Sequence, residues 1–164
     1  MDLESNIELS VLESLNINGI RYEVIPCLPE LADTAEFCSY YGYPLENSGN
    51  TIIVVGKGDP KRFAACIVRA TVRLDVNHTV RSLLGVRRAS FASREETQEM
   101  TNMQIGGVTI FGLPPSLPVY MDSGLRNLEY IIVGSGTRYS KLKLHPSELE
   151  KIPGAYFIEH LMVE

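Results

Sequence analysis

Several features that would assign this chain to a membrane, secreted or redox-active class are missing. No apolar run approaches the roughly 18 residues that a membrane-spanning helix needs. Residues 1–8 are acidic and lack the basic and apolar regions of a signal peptide. The three cysteines are an odd number without C-x-x-C spacing, which is typical of a reduced chain. The sequence therefore predicts a cytoplasmic protein with no membrane partner.

Motifs of common catalytic classes are missing as well. His78, His145 and His160 lie far apart, with no glutamate or cysteine at ligand spacing, so we predict no metal site. The G-x-S-x-G motif of serine hydrolases is absent. Lys57 lies between two glycines, but the pattern G-x-x-x-x-G-K-[ST] is absent, and a hairpin turn explains this segment.

The charge balance limits the partners. A formal net charge of −5 argues against a protein that coats nucleic acid, and we predict no DNA partner. This net charge does not exclude a local basic patch that binds one end of an RNA. The basic residues near the glycine turns described below are either a solvated surface or phosphate contacts; they are Arg87, Arg88, Arg94, Arg138, Lys141 and Lys143.

Length and patterning predict one α+β domain over residues 1–164. A 45% hydrophobic chain of 164 residues, without repeats or linkers, can bury a sizeable core. Capping boxes predict helix starts at Ser5-x-x-Glu8, Asp33-x-x-Glu36 and Ser93-x-x-Glu96, and residues 77–84 predict a short helix. Strands are predicted at 20–25, 51–55, 63–68, 108–111, 118–122, 130–135 and 141–144. This irregular mixture favours a mixed, mostly antiparallel central sheet with flanking short helices.

Two glycine turns and one carboxylate form the candidate site. Residues 106–114 carry three glycines and a proline around an apolar triplet, which predicts a shaped loop with backbone N–H groups aimed at a ligand. Asp122 ends a strand-like run, and residues 134–136 form a second small-residue turn. Asp122 either binds a ligand or caps the turn that it opens with Ser123 and Gly124. Cys27 is either a nucleophile or a small buried thiol.

The order of these segments resembles the YbaK family, free-standing relatives of the editing domain inserted in bacterial prolyl-tRNA synthetase. The resemblance covers nearly the whole chain and is best from residue 33 to 152. Its carriers are Asp33-Thr34-Ala35-Glu36 with Gly42, Asn50-Thr51-Ile52-Ile53-Val54, Arg73-Leu74-Asp75, Leu84-Gly85, Ala92-Ser93-Arg94-Glu95-Glu96, Gly106-Gly107-Val108-Thr109, Val119-Tyr120-Met121-Asp122 and Val133-Gly134-Ser135-Gly136.

The resemblance implies an aminoacyl-tRNA deacylase that hydrolyses the ester of a small mischarged amino acid. Main-chain amides would hold the ester carbonyl, a hydroxyl of the substrate's ribose would assist the water, and pocket size would exclude larger amino acids. It implies the tRNA acceptor end and a synthetase as partners, and no metal or organic cofactor. The implied catalytic residues are Gly106, Gly107, Val108, Thr109 and Asp122, and the implied substrate-binding residues are Asn50, Cys27, Ile110, Gly134, Ser135 and Gly136.

The chain departs from the family pattern at three of these positions. Asn50 stands where the family has a lysine that reaches into the site, and an amide brings hydrogen bonds but no charge. Ile110 replaces the usual proline of the glycine loop, and Cys27 replaces an aromatic residue of some members. A second interpretation is therefore a non-catalytic module that binds a tRNA acceptor end or a synthetase.

Overall fold

The fold alternates short helices with ten strands in the computed structural model, which describes residues 2–164. The α-helices are α1 (Leu9–Ile17), α2 (Thr34–Tyr41), α3 (Arg81–Leu84) and α4 (Arg94–Thr101). The strands are β1 (Glu23–Pro26), β2 (Gly49–Gly56), β3 (Arg62–Arg69), β4 (Arg73–Leu74), β5 (Ala89–Phe91), β6 (Val119–Asp122), β7 (Ile131–Gly134), β8 (Ser140–Leu144), β9 (Ala155–Ile158) and β10 (Met162–Val163). A π-helical turn (Val76–Val80) leads into α3, and short 3-10 helices cover Leu3–Asn6, Pro29–Leu31, Leu45–Asn47, Ser123–Asn127 and Pro146–Lys151.

A five-stranded sheet with the order β5-β2-β3-β6-β9 forms the centre of the fold. The β2–β3 hairpin and the β2–β5 pair are antiparallel, whereas β6 is parallel to both β3 and β9. Two smaller antiparallel sheets have the orders β1-β8-β7 and β10-β4. The predicted α+β class with a mixed, mostly antiparallel sheet is thus confirmed.

Apolar residues from both faces of the central sheet form the core. One face packs with α1 and the β1-β8-β7 sheet, through Val11, Leu15, Ile67, Ile131 and Leu142 among others. The opposite face packs around Val54, Cys66 and Leu161. A third cluster around Phe37 fixes α2 against β7. This arrangement brings the start of α2, the start of β2 and the end of β7 together.

Local differences from the predictions have identifiable causes. The first long helix begins at Leu9 rather than after Ser5, because the Glu8 carboxylate accepts hydrogen bonds from the amides of Ser10 and Val11. Asp33 precedes α2, but its side chain makes no capping hydrogen bond there and pairs with Arg138 instead.

The predicted strand over residues 108–111 is wrong, since this segment is an irregular loop. The glycines at 106, 107 and 112 and the proline at 114 keep the backbone out of a ladder, although Ile110 and Phe111 are buried. By contrast, the capping box at Ser93 and Glu96 is confirmed, with both reciprocal hydrogen bonds present. Every helix within residues 2–164 is too short or too polar to span a bilayer.

Candidate functional site

A cavity of about 280 Å³ lies where α2, the start of β2, α4, the glycine loop and the β7–β8 pair meet. The lining residues share small or neutral side chains, apart from one lysine; they are Thr34, Gly49, Asn50, Thr51, Ile52, Ile53, Thr97, Ile105, Gly106, Val108, Gly134 and Lys141. Residues from six separate parts of the chain thus surround one small space.

Strand β2 has no strand partner beside this cavity between the isolated Ser48–Ile132 bridge and the residues that pair with β5. Strand β5 pairs with β2 only at Val54, Val55 and Gly56. Just after β5, the Ala92 amide donates one further hydrogen bond to the Ile53 carbonyl, at 2.9 Å. Backbone groups along an antiparallel strand point alternately to its two sides. The N–H and C=O of Thr51, two residues before Ile53, therefore point to the side where the cavity lies.

The glycine loop packs directly against the end of β7. A β-carbon at Gly134 would lie 2.5 Å from the Gly107 carbonyl oxygen and 2.6 Å from that of Val108, so only glycine fits there. Gly106 has φ +91°, a left-handed conformation that favours glycine. These two glycines allow the loop backbone to form one wall of the cavity.

Arg138 holds this loop in place from behind. Its guanidinium donates to the Ile105 carbonyl at 2.8 Å, to the Pro29 carbonyl at 2.9 Å and to the Asp33 carboxylate at 3.0 Å. The arginine therefore ties the glycine loop to the segment that leads into α2. All three of these contacts are internal and position the loop, while a phosphate contact by Arg138 stays a prediction.

Two amides of the loop have no acceptor in the described part of the chain. Within residues 2–164, the N–H groups of Gly106 and Val108 donate no hydrogen bond, and both residues line the cavity. The amide of Gly107, in contrast, donates to the Gln104 carbonyl at 2.8 Å. Backbone N–H groups without an internal acceptor are the groups that a bound oxygen can satisfy.

Lys141 brings the positive charge of the cavity. Its side chain is 6% exposed, and Nζ donates to the Gly106 carbonyl oxygen at 2.8 Å. Burial lowers the pKa of this amine below its usual value. Across the described chain, no carboxylate lies within 4.0 Å of Nζ. The ammonium is thus buried with one neutral partner.

Asn50 adds neutral hydrogen-bond donors beside this cation. The Thr34 hydroxyl donates to Asn50 Oδ1 at 2.9 Å, which leaves the Asn50 NH₂ group as a donor toward the cavity. The Thr51 hydroxyl is buried and has no hydrogen-bond partner. No aspartate, glutamate or histidine is among the lining residues. The cavity is therefore rich in donors and suited to a ligand with several oxygen acceptors.

The structure brings four of the predicted site residues into this cavity, namely Gly106, Val108, Asn50 and Gly134. Gly107 and Gly136 lie next to it and bind one another, since the Gly136 amide donates to the Gly107 carbonyl at 2.6 Å. This hydrogen bond attaches the glycine loop to the turn after β7, and neither glycine lines the cavity.

Three predicted residues are packed behind the walls. Thr109 is fully buried with an unpartnered hydroxyl. Ile110 is 1% exposed and packs in the main core. The Ser135 hydroxyl donates to the Ser140 carbonyl at 2.9 Å, and the Ser140 hydroxyl donates to Ser135 Oγ at 2.8 Å. The structure thus assigns packing and bracing contacts to this group.

Cys27 and Asp122 also lie outside the lining. Cys27 is buried, its thiol donates to the Arg138 carbonyl at 3.2 Å, and burial raises its pKa, which opposes formation of a thiolate nucleophile. Asp122 is 3% exposed and accepts a hydrogen bond from the Gly124 amide at 3.1 Å. This contact is the turn cap that the sequence left open as the alternative.

Sequence reasoning missed several residues of the cavity. Lys141 is one of the six basic residues that the sequence leaves open as a solvated surface or phosphate contacts, and Thr97 and Ile105 carry no signal in the sequence. The alternation of Lys141 and Lys143 places both on one face of β8, yet only Lys141 is enclosed. Lys143 lies over the Tyr130 ring instead, with Nζ 4.5 Å from the ring centroid. Within residues 2–164, no group of three or more His, Cys, Asp and Glu side chains could hold a metal ion.

The same fold occurs in proteins of known structure. The crystal structure of hypothetical protein APE2540 superimposes with a TM-score of 0.82 at 23% identity, covering 94% of this chain and 99% of that one. A protein described as a candidate trans-editing enzyme for prolyl-tRNA synthetase superimposes with a TM-score of 0.79 at 24% identity, covering 94% and 95%. The architecture is that of YbaK-like proteins.

The chain belongs to the aminoacyl-tRNA editing domain family, whose model matches residues 29–152. The matched region contains every residue that lines the cavity. Among curated proteins, the uncharacterized protein YwhH of Bacillus subtilis (strain 168) is 29% identical over 110 residues, which is 67% of this chain and 68% of that protein. The resemblance found from the sequence motifs is thus confirmed.

Proposed function

We propose that this protein is a trans-acting aminoacyl-tRNA deacylase, which removes a small mischarged amino acid from the 3′ end of a tRNA. Membership of the editing domain family supports a role in editing. The observation that carries the proposal is the small, donor-rich and carboxylate-free cavity beside the glycine loop. Such a cavity suits an ester and a ribose, whose polar atoms are mainly oxygen acceptors.

In the proposed reaction, water attacks the ester carbonyl carbon, and the bond from that carbon to the ribose oxygen breaks. The ribose oxygen leaves with a proton, so the products are the free amino acid and an uncharged tRNA. The unpaired amides of Gly106 and Val108 would stabilise the negative charge that develops on the carbonyl oxygen. Because no carboxylate or imidazole lines the cavity, a hydroxyl of the substrate's own ribose would assist the attacking water.

Substrate selection would depend on the size of the cavity. A volume of about 280 Å³ admits a small acyl group together with part of a ribose, and a bulky side chain would exceed it. The acceptor end of the tRNA is the proposed partner, and prolyl-tRNA synthetase is the proposed synthetase associated with it. Action on aminoacyl-tRNA would place the protein in the cytoplasm.

The test is loss of the ester from purified charged tRNAs. We expect turnover of at least one among alanyl, cysteinyl, seryl and prolyl esters, and no turnover of a phenylalanyl ester, which serves as the size control. Saturable binding of an acceptor-stem mimic without turnover of any ester would refute the deacylase. It would favour the second candidate, a binding module, for which the lack of a carboxylate or imidazole in the cavity is the supporting observation.

A further inference from the structure

Lys141 has a place in the cavity that the proposed chemistry leaves unused. The lysine is 6% exposed, whereas Lys143, two residues along β8, is partly exposed. The Phe37 ring centroid lies 5.8 Å from Lys141 Nζ, and the Gly106 carbonyl is its hydrogen-bond acceptor. An ammonium carries three N–H donors, so two remain for a ligand within the described chain.

The inner end of the cavity must receive the acyl group rather than the nucleotide. A tRNA is far larger than a space of about 280 Å³, so the polynucleotide has to stay at the mouth. Lys141 lies at this inner end, since it is 6% exposed and borders a second, separate pocket among buried residues whose volume of about 10 Å³ is too small for a side chain. The side chain of the amino acid would therefore be the part of the substrate that meets the buried ammonium.

We propose that Lys141 determines specificity, and that its ammonium selects aminoacyl groups whose side chain carries an oxygen acceptor over hydrocarbon side chains of similar size. This inference rests on the proposed function, since that function brings the ester into the cavity. A seryl hydroxyl accepts a hydrogen bond from Nζ, whereas an alanyl methyl group leaves the buried donors unpaired. A site built to bind a polar group rejects an analogue that lacks it, because burying an unpaired charge is costly.

The surroundings of Lys141 add to this preference. No carboxylate lines the cavity, so no anionic group of the lining competes with the substrate for the free N–H donors. The unpartnered Thr51 hydroxyl and the Asn50 NH₂ group are further donors nearby. Repulsion between two cations would also turn the substrate's α-ammonium away from Lys141, toward the mouth.

The test compares seryl and alanyl esters on one and the same tRNA. For the unmodified protein we expect kcat/KM to favour the seryl ester by about tenfold or more, as expected for a charge-assisted hydrogen bond. In Lys141→Met the ratio should fall to about one, mainly because the seryl ester loses its advantage. Lys143→Met is the matched control, since Lys143 shares the same strand face outside the cavity, and its ratio should equal that of the unmodified protein.

A second measurement needs no variant and no turnover. Binding of non-hydrolysable seryl and alanyl amides of adenosine to the unmodified protein is measured by calorimetry, and the seryl analogue should bind about tenfold tighter. Equal binding, or a preference for alanyl, overturns the inference even where the esters are hydrolysed. Selective binding without hydrolysis leaves the inference standing and refutes the deacylase. Binding of neither analogue, with no hydrolysis, refutes both.

Discussion

Gly134→Ala should damage the site more than the fold. The new β-carbon would lie 2.5 Å from the Gly107 carbonyl oxygen and 2.6 Å from that of Val108, about 0.9 Å short of ordinary contact at 3.4 Å. Both neighbours are backbone atoms, so the glycine loop has to retreat by nearly this distance. Overpacking of this kind costs about 1–3 kcal/mol of unfolding free energy.

These magnitudes convert directly into measurable changes. In a chain of this size, 1 kcal/mol lowers Tm by about 2–4 °C, so calorimetry should show a decrease of roughly 2–12 °C. Displacing the Val108 amide by nearly 1 Å should also lower deacylation by about a hundredfold at a temperature where the variant is fully folded. The assay is kcat/KM on the best ester, measured well below the variant's Tm.

Gly58→Ala is the matched control for Gly134→Ala. A β-carbon at Gly58 meets only the Pro60 carbonyl oxygen, at the ordinary distance of 3.5 Å, and Gly58 has no positive φ. We expect both Tm and kcat/KM to stay close to the values of the unmodified protein. Full activity in folded Gly134→Ala would refute the reasoning, because the loop backbone would then not form the wall that binds the ester.

The remaining predictions concern Asp122, Asn50 and Lys141. Asp122→Ala removes the acceptor of the Gly124 amide, so urea unfolding should show that the free energy of unfolding falls by about 1–2 kcal/mol. Because Asp122 does not line the cavity, the folded variant should keep most of its deacylation activity. A loss of activity without a matching loss of stability would instead support the substrate contact predicted from the sequence. Asn50→Lys adds a second cation to the cavity and should change the relative rates for different esters; an identical profile for every ester would place residue 50 outside the site. The lowered pKa of Lys141 means that the unfolded state binds more protons between this pKa and the ordinary value of 10.5. Stability should therefore rise with pH across this window more steeply in the unmodified protein than in Lys141→Met, as measured by urea unfolding. Equal slopes would mean that Cys27, Asp33 and Cys38, which raise the pKa of Lys141, fully offset burial and the charge of Arg138, which lower it.

Regular elements could be predicted from the sequence where one local interaction dominates. The capping box at Ser93 and Glu96 starts α4 because both of its hydrogen bonds lie within four residues. The run of β-branched residues in β2 likewise predicts a strand from local sequence alone, because such side chains favour an extended backbone. Local patterns mislead where a neighbouring group competes, as when the Glu8 carboxylate caps α1 ahead of the position that Ser5 indicates.

Residues 108–111 mark the limit of reasoning from burial. Their apolar and β-branched side chains are as typical of a strand as those of β2, and Ile110 and Phe111 are indeed buried. Burial alone does not provide a partner strand, however, and the flanking glycines favour a loop that packs on β7. The glycines were therefore the informative residues of this segment, and the apolar triplet was not.

The composition of the cavity explains why the candidate site was only partly predictable. Its hydrogen-bond donors are mostly backbone N–H groups of the glycine loop and of the edge of β2. Almost any residue type supplies such a group, so the donors cannot be recognised from the amino acid sequence. Asp122, the one carboxylate predicted to belong to the site, lies outside the cavity lining and caps a turn. Lys141 and Lys143 are indistinguishable in the sequence, and only the packing of β8 against α2 and the glycine loop encloses the first of them. The selectivity of such a site must then depend on how a few donors are buried, and Lys141 is the one among them that carries a charge.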